Sequence, residues 1–145
     1  MTTLDTPRRR DTAYRWVLVV LLAGAGGLHF VRPEPFAAIV PPPLGDPAPW
    51  VWASGVMELV AAGLLAVDRT RRLGGWVAAV TFVAVFPANV QMALDGGMAG
   101  ARFPLGDPVV AWLRLPLQAV LVWMAWRQTR HYDARSVRRD AVRPQ

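Results

Sequence analysis

Six polar side chains interrupt the long apolar stretches of this 145-residue chain: His29, Glu58, Asn89, Gln91, Arg114 and Gln118. Their types suit acid–base chemistry or ligand capture: an imidazole, a carboxylate, three carboxamides and a guanidinium. Glu58 and Arg114 carry the formal charges within those stretches and are opposite in sign. A charge near a bilayer centre costs about 2.5–3.5 kcal/mol on insertion scales, so such groups turn inward and find a partner. Glu58 and Arg114 are therefore expected to form an intramembrane ion pair. Ser54 with Glu58, and Arg114 with Gln118, share helix faces at a spacing of four. An acid–base role for Glu58 with His29 fits their types, though no spacing rule demands it.

Several chemistries drop out. The chain has no Cys, so it has no disulfide, no redox dithiol and no thiolate nucleophile of its own. His29 and His131 fall on opposite sides of the membrane in the topology derived below, which excludes a bis-His haem. His29 with Met57 or Met92 as axial ligands stays open. A metal at His29 and Glu58 lacks a third ligand, and Arg114 would repel it, so no metal is expected. Gly24, Gly26 and Gly27 lie in an apolar run and read as packing, not as a phosphate loop. No Ser–His–Asp set is credible from these residues, and no catalytic residue is assigned.

The elements that must position the six residues follow from composition. Hydrophobic residues make up 54% of the chain, and the mean hydropathy is +0.28. They fall in four blocks, with the charges mostly between and beyond them. Crossing about 30 Å of hydrocarbon takes about 20 helical residues, and lipid-exposed backbone must satisfy its own hydrogen bonds. The expected architecture is all-α: an integral membrane four-helix bundle spanning 15–126, with helices at about 15–32, 50–67, 73–94 and 109–126. A cytoplasmic segment 1–14 precedes it and a basic cytoplasmic tail 127–145 follows.

Orientation follows from the arginines, which supply all 16 basic residues. Thirteen fall on one side: Arg8, Arg9, Arg10 and Arg15, then Arg69, Arg71 and Arg72, then the six of the tail. The positive-inside rule makes that side, and both termini, cytoplasmic. A cleaved signal peptide with a site near Ala23-Gly24-Ala25 is the competing reading of the first block, but the apolar run continues to Phe30. The expected setting is a cytoplasmic (inner) membrane, crossed four times.

The first outer loop, Pro33–Pro49, holds seven of the 13 prolines together with Phe36, Ile39, Val40 and Leu44. It is expected to pack on the bundle as a lid. Both outer loops carry Pro-Leu-Gly-Asp-Pro, at 43–47 and 104–108. A tandem repeat of helical hairpins explains this, as does local physics, since Asp caps helices and Pro suits their first turn. Trp50 and Trp52 mark the outer interface, and Trp16, Trp123 and Trp126 the inner one. Small residues such as Ala23, Gly27, Ala62 and Ala66 are expected to do the close packing.

At about 1.5 Å per residue, Glu58 lies about 12 Å inward from Trp50, and Arg114 and Asn89 about 8 Å inward from their outer helix ends. His29 is within a turn of its outer end. All six fall in the outer half of the bilayer, and the inner half reads as apolar. Pro87 removes a helical donor from the carbonyl of Val83 and bends the third helix near Asn89. Two readings follow. In one, the polar groups lock short helices together. In the other, His29, Glu58, Asn89, Arg114 and Gln118 wall a ligand pocket. The tail needs no nucleic-acid partner, because attraction to anionic lipid and topology account for its charge.

The runs Gly27-Leu28-His29-Phe30-Val31-Arg32-Pro33-Glu34-Pro35-Phe36, Ser54-Gly55-Val56-Met57-Glu58-Leu59, Val85-Phe86-Pro87-Ala88-Asn89-Val90-Gln91-Met92-Ala93 and Leu113-Arg114-Leu115-Pro116-Leu117-Gln118 resemble the DoxX-like family of small bacterial membrane proteins. The resemblance spans about 14–126 and implies a four-helix membrane bundle whose signature residues are His29, Glu58, Asn89, Arg114 and Gln118. What it implies of function is diffuse. Some members are subunits of a thiosulfate:quinone oxidoreductase, others are tied to redox or thiol homeostasis, and an animal relative resembles an assembly chaperone. The expectation is a redox-associated accessory that binds a quinone or another amphiphilic molecule, alone or with a membrane or redox protein partner. The alternative is a non-catalytic assembly subunit whose polar cluster is structural.

Overall fold

The computed structural model describes residues 6–98, 102–104 and 106–130. The tail beyond Arg130, with His131, Arg135, Arg138, Arg139 and Arg143, lies outside the described residues, as do residues 1–5 and Leu105. The described residues are helical, without strands: α1 (Thr6–Val31), α2 (Glu34–Ala37), a 3-10 turn (Pro42–Leu44), α3 (Ala48–Ala66), α4 (Arg71–Ala84), α5 (Phe86–Leu94) and α6 (Pro108–Gln128). Four spans are long and apolar enough to cross a membrane: Arg10–Val31, Ala48–Ala66, Arg71–Leu94 and Pro108–Gln128.

Two features differ from the sequence expectation by more than a residue or two at a helix end. The first helix begins at Thr6 rather than near 15, so much of the segment 1–14 is helical. Nothing from Thr6 to Tyr14 breaks a helix, since Pro7 occupies the first turn, where its missing N–H costs nothing. The helical extension is also held from outside: Asp11 is buried, and Arg127 at the far end of α6 donates to it at 2.8 Å. The third span is two helices, broken at Val85 just before Pro87.

The spans form a ring in which α1 packs on α3, α3 on α4, α4 on α6 and α6 on α1. The diagonal pairs are α1 with α4 and α3 with α6. One apolar cluster, with Leu18, Leu22, Leu65 and Ala125, fills the Arg-rich end. A second, with Ile39, Met92, Met98 and Ala111, closes the proline-rich end. In each span a third or less of the most apolar window is buried, and all seven tryptophans are 42–54% exposed. A soluble bundle would hide these side chains; in lipid the outside is as apolar as the inside.

Close packing falls to residues other than those expected. Ala23 and Ala66 are exposed, and a Cβ on Gly27 would meet nothing within 4 Å; of the four, Ala62 alone is buried. The contact is made by Gly26 and Gly55. A Cβ on Gly26 would come within 3.0 Å of the Gly55 carbonyl, and one on Gly55 within 2.7 Å of the His29 Cβ. Bare backbone at both positions lets α1 and α3 approach closely, and this sets the partner of Glu58.

The loop Pro33–Pro49 packs as a lid. Ile39 is 7% exposed and sits in the second apolar cluster, while Phe36 stacks on the His29 ring with centroids 3.7 Å apart. Both Pro-Leu-Gly-Asp-Pro strings open helices, with unequal geometry. Asp107 is the N-cap of α6 and accepts from the amides of Val109 (2.8 Å) and Val110 (3.1 Å). Asp46 stands one residue before the N-cap, Pro47, and accepts from Ala48 alone, at 3.0 Å.

Candidate functional site

The lid, α1, α3, the α4–α5 break and α6 enclose a cavity of about 760 Å³ in the proline-rich half of the bundle. That size lies within the range of small-molecule sites. His29, Glu58, Asn89, Arg114 and Gln118 all line it. Much of the remaining lining is apolar, including Phe36 and Val40 from the lid, Trp50 and Met57 from α3, and Leu22 and Leu121 deeper in. Gln91 is the exception among the six polar residues. It does not line the cavity, and its amide bonds Asp95 one turn on, at 2.9 and 3.0 Å.

The ion pair expected between Glu58 and Arg114 does not form. Glu58 Oε2 lies 3.4 Å from His29 Nδ1 instead, with both side chains almost fully buried. The reason is helix order. Gly26 and Gly55 draw α1 onto α3 and bring His29 beside Glu58, whereas α3 and α6 are diagonal neighbours with the cavity between them. Similar depth on diagonal helices puts two charges across a space, not in contact.

The His29–Glu58 contact is geometrically loose. His29 Nδ1 sits 2.8 Å from the Ala25 carbonyl one turn back, which fixes a proton on Nδ1. In the neutral ring Nε2 then carries the lone pair. Glu58 Oε2 is buried and holds no hydrogen bond among the described residues. Arg114, half-buried on α6, likewise has no ion pair or hydrogen bond among them. The cavity thus presents an unpaired guanidinium on one side and an acceptor carboxylate oxygen beside an imidazole on the other.

The two carboxamides behave differently. Asn89 Nδ2 donates to Gln118 Oε1 at 2.6 Å, and Gln118 Nε2 donates to the carbonyl of Phe82. Phe82 lies in the last turn of α4, next to the Val83 carbonyl that Pro87 leaves without a helical donor. Gln118, 4% exposed, thereby ties α6 to the broken third span. Gln118→Leu keeps the volume but strips Phe82 of this donor and Asn89 of its acceptor. The expected cost is about 1–3 kcal/mol, read as a lower unfolding midpoint in detergent and faster amide exchange around the α4–α5 break.

Sequence reasoning missed a polar set at the opposite end, where the inner half was expected to be apolar. Arg15 is 8% exposed. Its guanidinium donates to the carbonyls of Leu65 and Ala66 at the end of α3 and pairs with Asp68. Gln128, 1% exposed, donates to the Asp11 carbonyl at 3.1 Å. These residues sit at span ends, where Arg, Asp and Gln read as interfacial, so type and spacing carried no signal of burial. Phe36 was visible as an apolar lid residue, but its stacking on His29 was not.

Residues 18–129 match a family described as a domain of unknown function (DUF8561), and the chain belongs to that family. The match takes in the cavity and nearly all of the four spans. No curated protein and no solved structure matches the chain.

Proposed function

We propose that the cavity binds an amphiphilic small molecule, quinone-like in carrying carbonyl or anionic oxygens on an apolar body. The chain then acts as a redox-associated accessory in a bacterial cytoplasmic membrane, with its Arg-rich end inside and its lid outside. The observation that carries this reading is Arg114: a half-buried cation with no counter-ion among the described residues, lining a largely apolar cavity. An uncompensated charge in a span is costly, and spans retain such groups for ion, proton or ligand chemistry. Arg114 donates to the ligand's oxygen, while His29 and Glu58 accept from it or carry its proton. Phe36 on the lid stacks against His29 and covers the ligand from the lid side. The resemblance to DoxX-like proteins supports the same reading, with this chain lacking thiols to contribute.

The test is native mass spectrometry of the protein extracted from its own membranes, wild type beside Glu58→Gln. A discrete small-molecule adduct on the wild type, lost from a folded Glu58→Gln chain, is the expected result. A bare wild-type chain sinks the ligand reading. The alternative, an assembly subunit with a structural cluster, draws on Asn89 and Gln118, whose bonds close on one another and on α4. It requires a second protein in stoichiometric amount in the same spectrum.

A further inference from the structure

A second depression lies at the opposite, Arg-rich end, with a volume of about 690 Å³. Arg15, Arg69, Arg71, Arg72 and Arg130 line it, with Asp11 and Asp68. The two carboxylates are already paired within the chain, Asp68 at the surface with Arg15 and Asp11 with Arg127. Arg69, Arg71, Arg72 and Arg130 have no carboxylate partner among the described residues. Arg130 lies over the Trp126 ring at 4.0 Å, and Trp76, half-exposed, stands at the edge of the groove.

The backbone adds to this charge. Helix α4 starts here, at Arg71, and its N-cap Thr70 is a residue that ordinarily accepts from the first helical amides. Thr70 instead donates its hydroxyl to the Leu64 carbonyl at 2.8 Å and caps nothing in α4. The amides of Arg71, Arg72 and Leu73, three residues that line the groove, therefore have no side-chain cap. A helix N-terminus with free amides carries partial positive charge and suits a phosphate.

We infer that this groove binds the phosphodiester head of an anionic phospholipid, with the arginines and the α4 amides on the phosphate. Basic pockets between spans are the usual form of an anionic head-group site, and guanidinium forks bind phosphate oxygens two at a time. Trp76 and Trp126 lie at the depth where acyl chains meet head groups. The site is separate from the cavity at the other end and stands whether or not that cavity binds a ligand.

The test uses the delipidated full chain in detergent, titrated with phosphatidylglycerol or with phosphatidylcholine and read by native mass spectrometry. One phosphatidylglycerol per chain is expected at about tenfold higher affinity than phosphatidylcholine. The double variant Arg69→Gln/Arg72→Gln, both exposed and without a carboxylate partner, should bring the two lipids level while leaving the unfolding midpoint in place. The tail variant Arg135→Gln/Arg138→Gln removes the same charge from the tail and should keep the preference. If inorganic phosphate alone protects the wild type against heat, and not Arg69→Gln/Arg72→Gln, the site takes a free phosphate by the same chemistry. Equal binding of both lipids by the wild type overturns the inference, as does an equal loss in the tail variant.

Discussion

Arg114→Met is expected to make the protein more stable and less able to bind its ligand, by about 1 kcal/mol in the first respect and ten- to a hundredfold in the second. The stability gain follows from what surrounds the guanidinium. It is half-buried in a span and has no ion pair or hydrogen bond among the described residues. Its desolvation is thus not offset within the protein, and an apolar side chain of similar length removes the cost. The binding loss follows from the same facts, because a hydrogen bond from a charged donor contributes about 1.5–3 kcal/mol. Trp50 lines the cavity, so titration with a short-chain quinone can be followed by quenching of its fluorescence, with Trp50→Phe as the control. Arg114→Lys should retain part of the affinity, since it keeps the charge but not the planar fork. A fall in the unfolding midpoint of Arg114→Met with quinone quenching unchanged would make the residue structural and end its role in the cavity.

How much of this was legible in the sequence depended on what each residue's cost could reveal. A carboxylate and a guanidinium inside apolar runs are expensive wherever they point, so type and depth alone brought His29, Glu58, Asn89, Arg114 and Gln118 to one half of the bundle, and all five line one cavity. Their partners were not legible. Depth says how far along a span a group sits, while partnership depends on the order and rotation of the helices. That order turned on Gly26 and Gly55, two glycines with nothing to set them apart from Gly24 or Gly27 in the sequence. Glu58 consequently lies beside His29, and Arg114 is left facing the cavity from the diagonal helix. The Pro87 break was foreseeable from the missing amide; that Gln118 would reach its carbonyls was not, because the donor comes from another helix. Arg15 is the plainest case of a hidden role. Its place before an apolar run is where a topology-setting arginine stands, and only the helical extension to Thr6 and the neighbouring end of α3 turn it inward.

That buried arginine is the second residue whose loss should be costly, and its neighbours say which part of its contact matters. Helix α3 ends at Ala66, and its last carbonyls have no helical donors. Thr70 serves Leu64, and the Arg15 guanidinium serves Leu65 and Ala66, the latter at 2.7 Å. A cation at a helix C-terminus also meets the negative end of the helix dipole. The third contact, with Asp68, is of another kind, because the Asp68 side chain is 89% exposed and its attraction is screened by water. Arg15→Leu should therefore lower stability by about 3 kcal/mol, as the buried Leu65 carbonyl and the part-buried Ala66 carbonyl lose charged donors. Asp68→Asn should cost less than about 1 kcal/mol. Arg15→Lys should recover less than half of the loss, since an ammonium cannot span both carbonyls and the carboxylate with one planar group. Reversible unfolding of the four proteins in mixed micelles reads the order directly. If Asp68→Asn proved as damaging as Arg15→Leu, the surface ion pair would be the clamp at this end of the bundle, and the capping of α3 by the guanidinium would count for little.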